Sequence, residues 1–478
     1  MQIDRNQIRD IVSKVVSEIN DNKKISEVGT SFLPQKKISL RTGNLFGIYE
    51  DVETAIKKAK EAQACWINLP LQKRHDIIEK IRAKLRTAID FFSNYAVEET
   101  GLGRFEDKVN KNRLVIDKTP GIEYLKPNAF SGDYGLTIEE RAPYGVIGAI
   151  TPCTNASETI ICNGIGMIAG GNAVVFNAHP TAKKTSNLTI DMINRVIHEN
   201  GGPDSLLAAK EIPTIDSANK LMKHPDICLL VVTGGPGVVQ AAMGSGKKTI
   251  AGGPGNPPVL VDETADFDLA GKKIVQGHSL DNNIVCIAEK EVFVLKSVAE
   301  KLKKGMLANG AYELPTSKLR ALEKIVLDKG HPNKNFVGKN ASVILNAAGI
   351  STREDYRTIL IETDFNHPFV QEEMLMPVLP MIRVNDVDEG IKLSQLAEHN
   401  FRHTAVIHSK NIEHMDKMAK IMNCSIFVKN APSYAGLGFN GEGFTSFTIA
   451  SPTGEGLTTV KDFTRVRRCT LADYFRIV

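Results

Sequence analysis

The chain has 478 residues, 42% hydrophobic and 24% charged, more than one core organises, so two or three ordinary globular domains are expected. Its 59 Lys and Arg are scattered among 55 Asp and Glu for a net charge of +4, which offers a polyanion no basic stripe, and nucleic acid is not expected as a partner. Seven cysteines without CxxC pairs or histidine-ligand spacing point to a reducing cytoplasm and away from a structural metal, while no apolar run of about 18 residues and no cleavable leader suggests a membrane span or secretion.

In chain order, "DRNQIRDIVSKVVSEIN" places Ile8, Ile11, Val12, Val15, Val16 and Ile19 on one helical face, with Asp4 and Gln7 as a capping pair. So short a helix is marginal in water and needs a surface to dock on. Its own body would serve; the polar, glycine-containing tether "DNKKISEVGTSFLPQKK" behind it favours an external partner. Helical periodicity then runs through "EDVETAIKKAKEAQACW" and from Pro70 to Gly101. Four strands are predicted at "YGVIGAI" (144–150), "NAVVFN" (172–177), "ICLLVVTGG" (227–235) and "PPVLVD" (257–262), mostly separated by helices. Such runs of Val and Ile without alternation describe a parallel sheet buried on both faces. A second set begins near "KEVFVL" and includes "SVILN", "PVLPMIRV" and "TAVIHS". The fold class is therefore α/β, with two such domains joined around residues 250–260. The glycine clusters "AGLGFNGEGF" and "SPTGEGLTT" read as turns.

"GIGMIA" at 164–169 fits a dinucleotide fingerprint in letters only. A true fingerprint follows its strand directly and has an acid for the ribose about 20 residues on; here the glycines are expected inside a helix that packs closely. "VVTGGPGVVQAAM" is the better candidate. Thr233 and Gly234 follow a buried strand and open a helix whose amides can meet a pyrophosphate, although such joints are often only turns.

Taken together, "ITPCTN" with Thr151, Pro152 and Asn155, then "TGGPG", Cys286 in "SLDNNIVCIAEK", and "EEMLMPVLP" at 372–380 resemble, in order and spacing, the aldehyde dehydrogenase superfamily over about residues 45–478. "TPCTNASET", "NAHPTAKK" and "HPFVQEEMLMPVLP" are similar to the versions found in CoA-acylating aldehyde dehydrogenases of bacterial microcompartments. The resemblance implies a Rossmann-like cofactor domain (44–131 and 145–254), an α/β catalytic domain (255–465) and a β oligomerisation arm (132–144 and 466–478). It implies a homodimer or homotetramer, and residues 1–20 acting as an encapsulation helix, with linker 21–43, that binds a shell protein inside a cytoplasmic microcompartment.

The implied roles are a Cys286 nucleophile, an oxyanion held by the Cys286 N–H and the Asn155 amide, and Glu373 on the nicotinamide ribose. Thr233 and Gly234 would meet the pyrophosphate, with His179 and Pro180 near the adenosine. His367 would orient CoA or take its thiol proton. Cys153 and Cys162 are the runners-up as nucleophile. NAD is favoured, with NADP left open. Hydrolytic members carry a glutamate base in a Glu-Leu-Gly-Gly-Lys type motif; the matching place here reads "IAGGPGNPP", Ile250 to Pro258, with no carboxylate. A thiol such as CoA is expected to outcompete unactivated water for an acyl-cysteine. The expected reaction is a short aldehyde, propionaldehyde over acetaldehyde, with CoA and NAD⁺ to acyl-CoA and NADH. An acidic side chain from a distant segment poised over the sulfur would count against it. The rivals are a hydrolytic aldehyde dehydrogenase and a catalytically silent scaffold at a shell.

Overall fold

The computed structural model describes residues 45–352 and 354–478, so the helix expected over 4–20 and its tether lie outside the described residues. Residues 45–478 form one compact unit. Two parallel sheets organise it. The six-stranded sheet runs in the order Ile48–Tyr49, Leu207–Lys210, Ala173–Ala178, Val146–Thr151, Ile227–Thr233, Thr249–Gly252. Val146–Thr151 and Ala173–Ala178 are buried at every position, which is why their Val, Ile and Phe do not alternate with polar residues. Strand order turns back at Val146–Thr151: the chain first builds outward on one side, then returns to add Ile227–Thr233 on the other. A crevice opens beyond the carboxyl ends of strands at such a reversal.

The seven-stranded sheet has the order Ala311–Glu313, Thr358–Glu362, Val378–Val384, Glu291–Leu295, Pro258–Val261, Thr404–His408, Ile426–Lys429. Its amino edge carries the turns that enter Pro258–Val261, Glu291–Leu295 and Val378–Val384, and those turns contain Gly255, Cys286 and Glu373. A third, antiparallel sheet joins Asn128–Gly132, Gly135–Pro143 and Thr464–Ala472, paired from Thr464↔Pro143 to Ala472↔Gly135. Asn128–Gly132 is exposed throughout and Thr464–Ala472 nearly so.

Several expectations need correction. "PPVLVD" pairs with Glu291–Leu295 and Thr404–His408, in the second sheet and not with the first set. "SVILN" lies in the helix Ala341–Ala347, because Ala341, Ile344, Leu345 and Ala348 recur at helical spacing and bury one face. The helical span after Pro70 is two helices, Leu71–Arg86 and Ile89–Thr100, parted at Thr87 and Ala88. Ile48–Tyr49, Leu207–Lys210 and Thr249–Gly252 escaped the pattern because each is four residues or fewer. The glycines of "GIGMIA" do lie within a helix, Ala156–Ala169. A Cβ on Gly164 would stand 3.0 Å from Leu207 and one on Gly166 3.1 Å from Phe463, so they serve close packing.

Candidate active site

The segment before Cys286 is an unusual piece of backbone. Asp281, Asn282 and Asn283 hold φ of 51°, 55° and 69°, three consecutive non-glycine residues in the left-handed region. Each such residue costs of order 1 kcal/mol, least for Asp and Asn, whose short polar side chains bond locally. All three are buried and fully employed. Asp281 Oδ2 accepts from Lys108 at 3.0 Å and pairs with Lys111 at 2.6 Å, while its Oδ1 accepts from the Arg104 N–H at 2.7 Å. Asn282 Nδ2 donates to Gly338 O at 2.9 Å and Asn340 Oδ1 at 2.7 Å. Asn283 Nδ2 donates to His278 O at 2.8 Å and Glu289 O at 3.0 Å. Lys290 Nζ folds back to donate to Asn283 Oδ1 at 2.6 Å and Asn283 O at 2.9 Å. The two asparagines ahead of the cysteine are thus the pins of its loop.

Cys286 is half-buried at the cavity wall. Burial, reinforced by the Glu373 carboxylate, pushes its thiol up to about 12, against the opposing pull of the Lys290 ammonium. At neutral pH such a thiol is protonated, with only about 10⁻⁵ as thiolate. Glu373 is itself raised by burial, offset in part by Lys290 and by the Gly255 N–H, which points at Oε1 from 3.4 Å. The segment 250–258 carries no carboxylate, as read from the sequence, but the cavity does: Glu373 enters from the turn ahead of Val378–Val384.

The cavity measures about 200 Å³ and lies between the carboxyl edge of the first sheet and the amino edge of the second. Pro152, Thr154 and Asn155 follow Val146–Thr151; Thr233, Gly234 and Gly235 close Ile227–Thr233; Ile284, Val285 and Cys286 face them. Leu375, Leu437, Phe447 and Ile449 supply apolar wall. Asn155 precedes the helix Ala156–Ala169 without capping it, which leaves its side chain available to the cavity. A Cβ on Gly235 or Gly237 would meet nothing within 4 Å, so a ligand can approach the backbone where Pro236–Met243 begins.

Of the residues singled out in sequence, Pro152, Asn155, Thr233, Gly234, Cys286 and Glu373 converge here. Thr151 is buried behind them at the strand end, its hydroxyl unpartnered. His179 and Pro180 are exposed at the end of the neighbouring strand Ala173–Ala178 and do not line the cavity. His367 does not reach it either: Nε2 pairs with Glu323 Oε1 at 2.9 Å and Nδ1 accepts from the Phe369 N–H at 3.2 Å, so its ring caps a short helix. Cys162 is buried within Ala156–Ala169, and Cys153 is held away from ionisation by burial.

Three residues that sequence reasoning passed over stand close by. Lys290 is 3% exposed within the charged triplet Glu289-Lys290-Glu291, all buried ahead of an apolar strand, which was the available signal. His403 is 1% exposed, with Nε2 unpartnered and the ring lowered to about 3 by burial and then by Lys290. A Cβ placed on Gly255 would touch both the His403 ring and the Cys286 carbonyl oxygen. Lys111, 3% exposed, donates to Asn155 Oδ1 at 2.7 Å. Among the described residues one group, Asp262, Glu263 and His414, gathers potential metal-ligating atoms away from the cavity, and the Asp262 carboxylate is already taken by Thr264, Ser409 and His414.

A model of the aldehyde dehydrogenase family matches residues 47–316 and 356–460. The chain is 45% identical over 445 residues to an acetaldehyde dehydrogenase (acetylating) of Bilophila wadsworthia, covering 91% of this chain and 92% of that one. Among solved structures it is similar to a propionaldehyde dehydrogenase from the Clostridium phytofermentans fucose utilisation bacterial microcompartment, with TM-score 0.89, 46% identity, and 91% and 100% of the two chains covered. It is likewise similar to a Rhodopseudomonas palustris propionaldehyde dehydrogenase with bound CoA and an acylated cysteine, with TM-score 0.88, 47% identity, and 89% and 98% covered.

Proposed function

Because the chain belongs to the aldehyde dehydrogenase family, in its CoA-acylating branch, we propose that it converts a short aliphatic aldehyde, CoA and NAD⁺ to acyl-CoA and NADH through a thioester on Cys286. The observation that carries this reading is the meeting of Cys286 and Asn155 in a small, largely apolar cavity next to the 250–258 turn, a turn that carries no carboxylate to activate water.

The Cys286 thiol gives up its proton to solvent, its sulfur adds to the aldehyde carbon, and the carbonyl oxygen becomes an anion. The Asn155 amide and the Cys286 N–H meet that charge; losing one such donor costs about 3–4 kcal/mol of barrier. Apolar walls of Leu437, Phe447 and Ile449 suit an alkyl chain of two or three carbons and keep water off the thioester. A nicotinamide nucleotide, when bound, supplies the hydride acceptor. The open backbone at Gly235 and Gly237 fits its pyrophosphate, Thr233 and Gly234 flank that approach, and Glu373 is placed for ribose hydroxyls. In this reading residues 44–131 with 145–254 hold the nucleotide, and 255–465 supply the nucleophile. The arm 132–144 with 466–478 offers an unpaired strand edge to a second copy in a homodimer or homotetramer.

NADH formation measured with and without CoA tests the chemistry. Steady turnover is expected only with CoA, and without it a burst of about one NADH per Cys286. Sustained turnover without CoA assigns the hydrolytic reaction instead, and wild-type turnover by Cys286→Ala removes the nucleophile assignment. We further propose that residues 1–20 bind a microcompartment shell protein, on the strength of their apolar stripe and tether. Deleting them should leave kcat intact and abolish co-purification with shells; retained packaging refutes it.

A further inference from the structure

Asn155 cannot orient itself. An amide side chain presents an oxygen and an NH₂ of nearly the same shape, and only its neighbours decide which one faces the cavity. Asn155 does not cap its helix, and its Nδ2 has one long contact, to Thr154 Oγ1 at 3.3 Å. Its Oδ1 is held firmly, at 2.7 Å from Lys111 Nζ. An ammonium has no lone pair, so the atom facing it must be the oxygen, and the NH₂ is turned the other way.

The same ammonium lies 2.6 Å from Asp281 Oδ2, in the left-handed loop five residues before Cys286, and 3.1 Å from Glu158 Oε1. Lys108, one helical turn earlier on Phe105–Lys118, shares Asp281 at 3.0 Å and, like Lys111, reaches Thr154 O, but makes no hydrogen bond to Asn155. All four charged side chains are at most 3% exposed. Asp281 is held ionised by Lys108 and Lys111 in spite of burial, and Lys111 is held charged by Asp281 and Glu158 in spite of its own. Breaking a buried pair from one side is costly, so this cluster is rigid.

We propose that Lys111 is the positioning residue of the oxyanion site: held in place by Asp281 and Glu158, it fixes the Asn155 amide with Nδ2 toward the cavity. The proposal rests on the reading of Asn155 as an oxyanion donor. A cation on the far side of the amide also polarises it, which strengthens the N–H bond it gives.

A double-mutant cycle on kcat tests it. Asn155→Ala should lower kcat about 10²- to 10³-fold. Lys111→Met should lower kcat at least tenfold with the aldehyde KM within about twofold, and within the Asn155→Ala background should cost no more than about twofold, since the group it positions is gone. Lys108→Met, which disturbs the loop without touching Asn155, should cost the same factor in both backgrounds. If Lys111→Met does not fold, the cycle is run in Lys111→Met with Glu158→Gln, which removes one charge of each sign. Equal losses from Lys111→Met in both backgrounds, or failure of both versions to fold, make Lys111 a purely structural residue and overturn the proposal. Wild-type kcat in Asn155→Ala instead overturns the underlying reading of Asn155.

Discussion

Gly255→Ala is the sharpest probe of the Cys286 loop. The added Cβ would lie 2.7 Å from the Cys286 carbonyl oxygen and 3.0 Å from Cγ of His403, whereas ordinary contacts begin at 3.4 Å. Gly255 is not in the left-handed region, so alanine meets no backbone penalty and the effect is steric alone. The turn cannot retreat, because Asn256 Nδ2 is bonded to Val370 O and Ala397 O at 2.9 Å each, and His403 is buried. The Cys286 peptide must therefore shift by several tenths of an ångström. Overpacking of this kind costs about 1–3 kcal/mol of stability. A 1 Å misplacement of reacting groups costs about 10²-fold in rate, so a kcat loss of roughly 10- to 100-fold is expected. The assay is NADH formation at saturating aldehyde, CoA and NAD⁺, with circular dichroism and gel filtration to establish folding. A folded variant with kcat within twofold of wild type would falsify the claim that this peptide's position sets the rate.

In the free enzyme, iodoacetamide should alkylate Cys286 about tenfold faster per pH unit from 7 to 9.5, because a thiol near 12 gains thiolate throughout that range; a plateau near pH 8 would contradict it. Lys290→Met removes the charge that opposes this rise, and alkylation at pH 8.5 should slow about tenfold, one pKa unit, with a faster rate contradicting the reading. Glu289 is raised to about 7, chiefly by burial, even though Ser433 donates to both its oxygens at 2.8 Å. Its folded value exceeds the unfolded one, so its contribution is full below about pH 4.5 and is lost as pH rises through about 7. Relative to Glu289→Gln, thermal stability should fall over that window by roughly 3 kcal/mol, and parallel pH profiles would refute this. Asn283→Ala loses its amide bonds and keeps the φ of 69°, so it should be worse than Asn283→Gly by about 1 kcal/mol; the reverse order in urea melts would show the loop is not strained.

The parallel sheets were legible because runs such as Val146–Thr151 are buried on both faces and so apolar at every position. Shorter strands such as Leu207–Lys210 gave no period, and the apolar string at 342–346 resembled a strand until its helical burial showed. Cys286, Asn155 and Glu373 were placed by the order of their motifs. Lys108, Lys111 and Lys290 were not, because charge in a sequence normally marks a solvated face. Here buried partners answer it: the carboxylates of Asp281 and Glu158 for Lys111, the carbonyl dipoles of Asn283 and Val285 for Lys290. His367 attracted attention by standing beside the Glu373 motif, yet it turns to Glu323, while His403, from an unremarked stretch, packs against Gly255.

Glu373 is the carboxylate that has to be reconciled with acyl transfer. To drive hydrolysis it would need to be ionised, free to move, and in contact with water over the sulfur. Burial raises its carboxyl, which weakens the first condition; the Gly255 N–H engages Oε1, which weakens the second; Leu437, Phe447 and Ile449 oppose the third. To the extent that Glu373 is ionised, its charge also lifts the Cys286 thiol, which disfavours a free thiolate at rest and favours the neutral thioester once formed. Hydrolysis would require this carboxylate to leave the Gly255 N–H and reach a water, whereas thiol exchange needs only a nucleophile that brings its own reactivity. The missing acid at 250–258 therefore leaves the acyl group on sulfur for a thiol, and the burial of Glu373 and its contact with the Gly255 N–H work in the same direction.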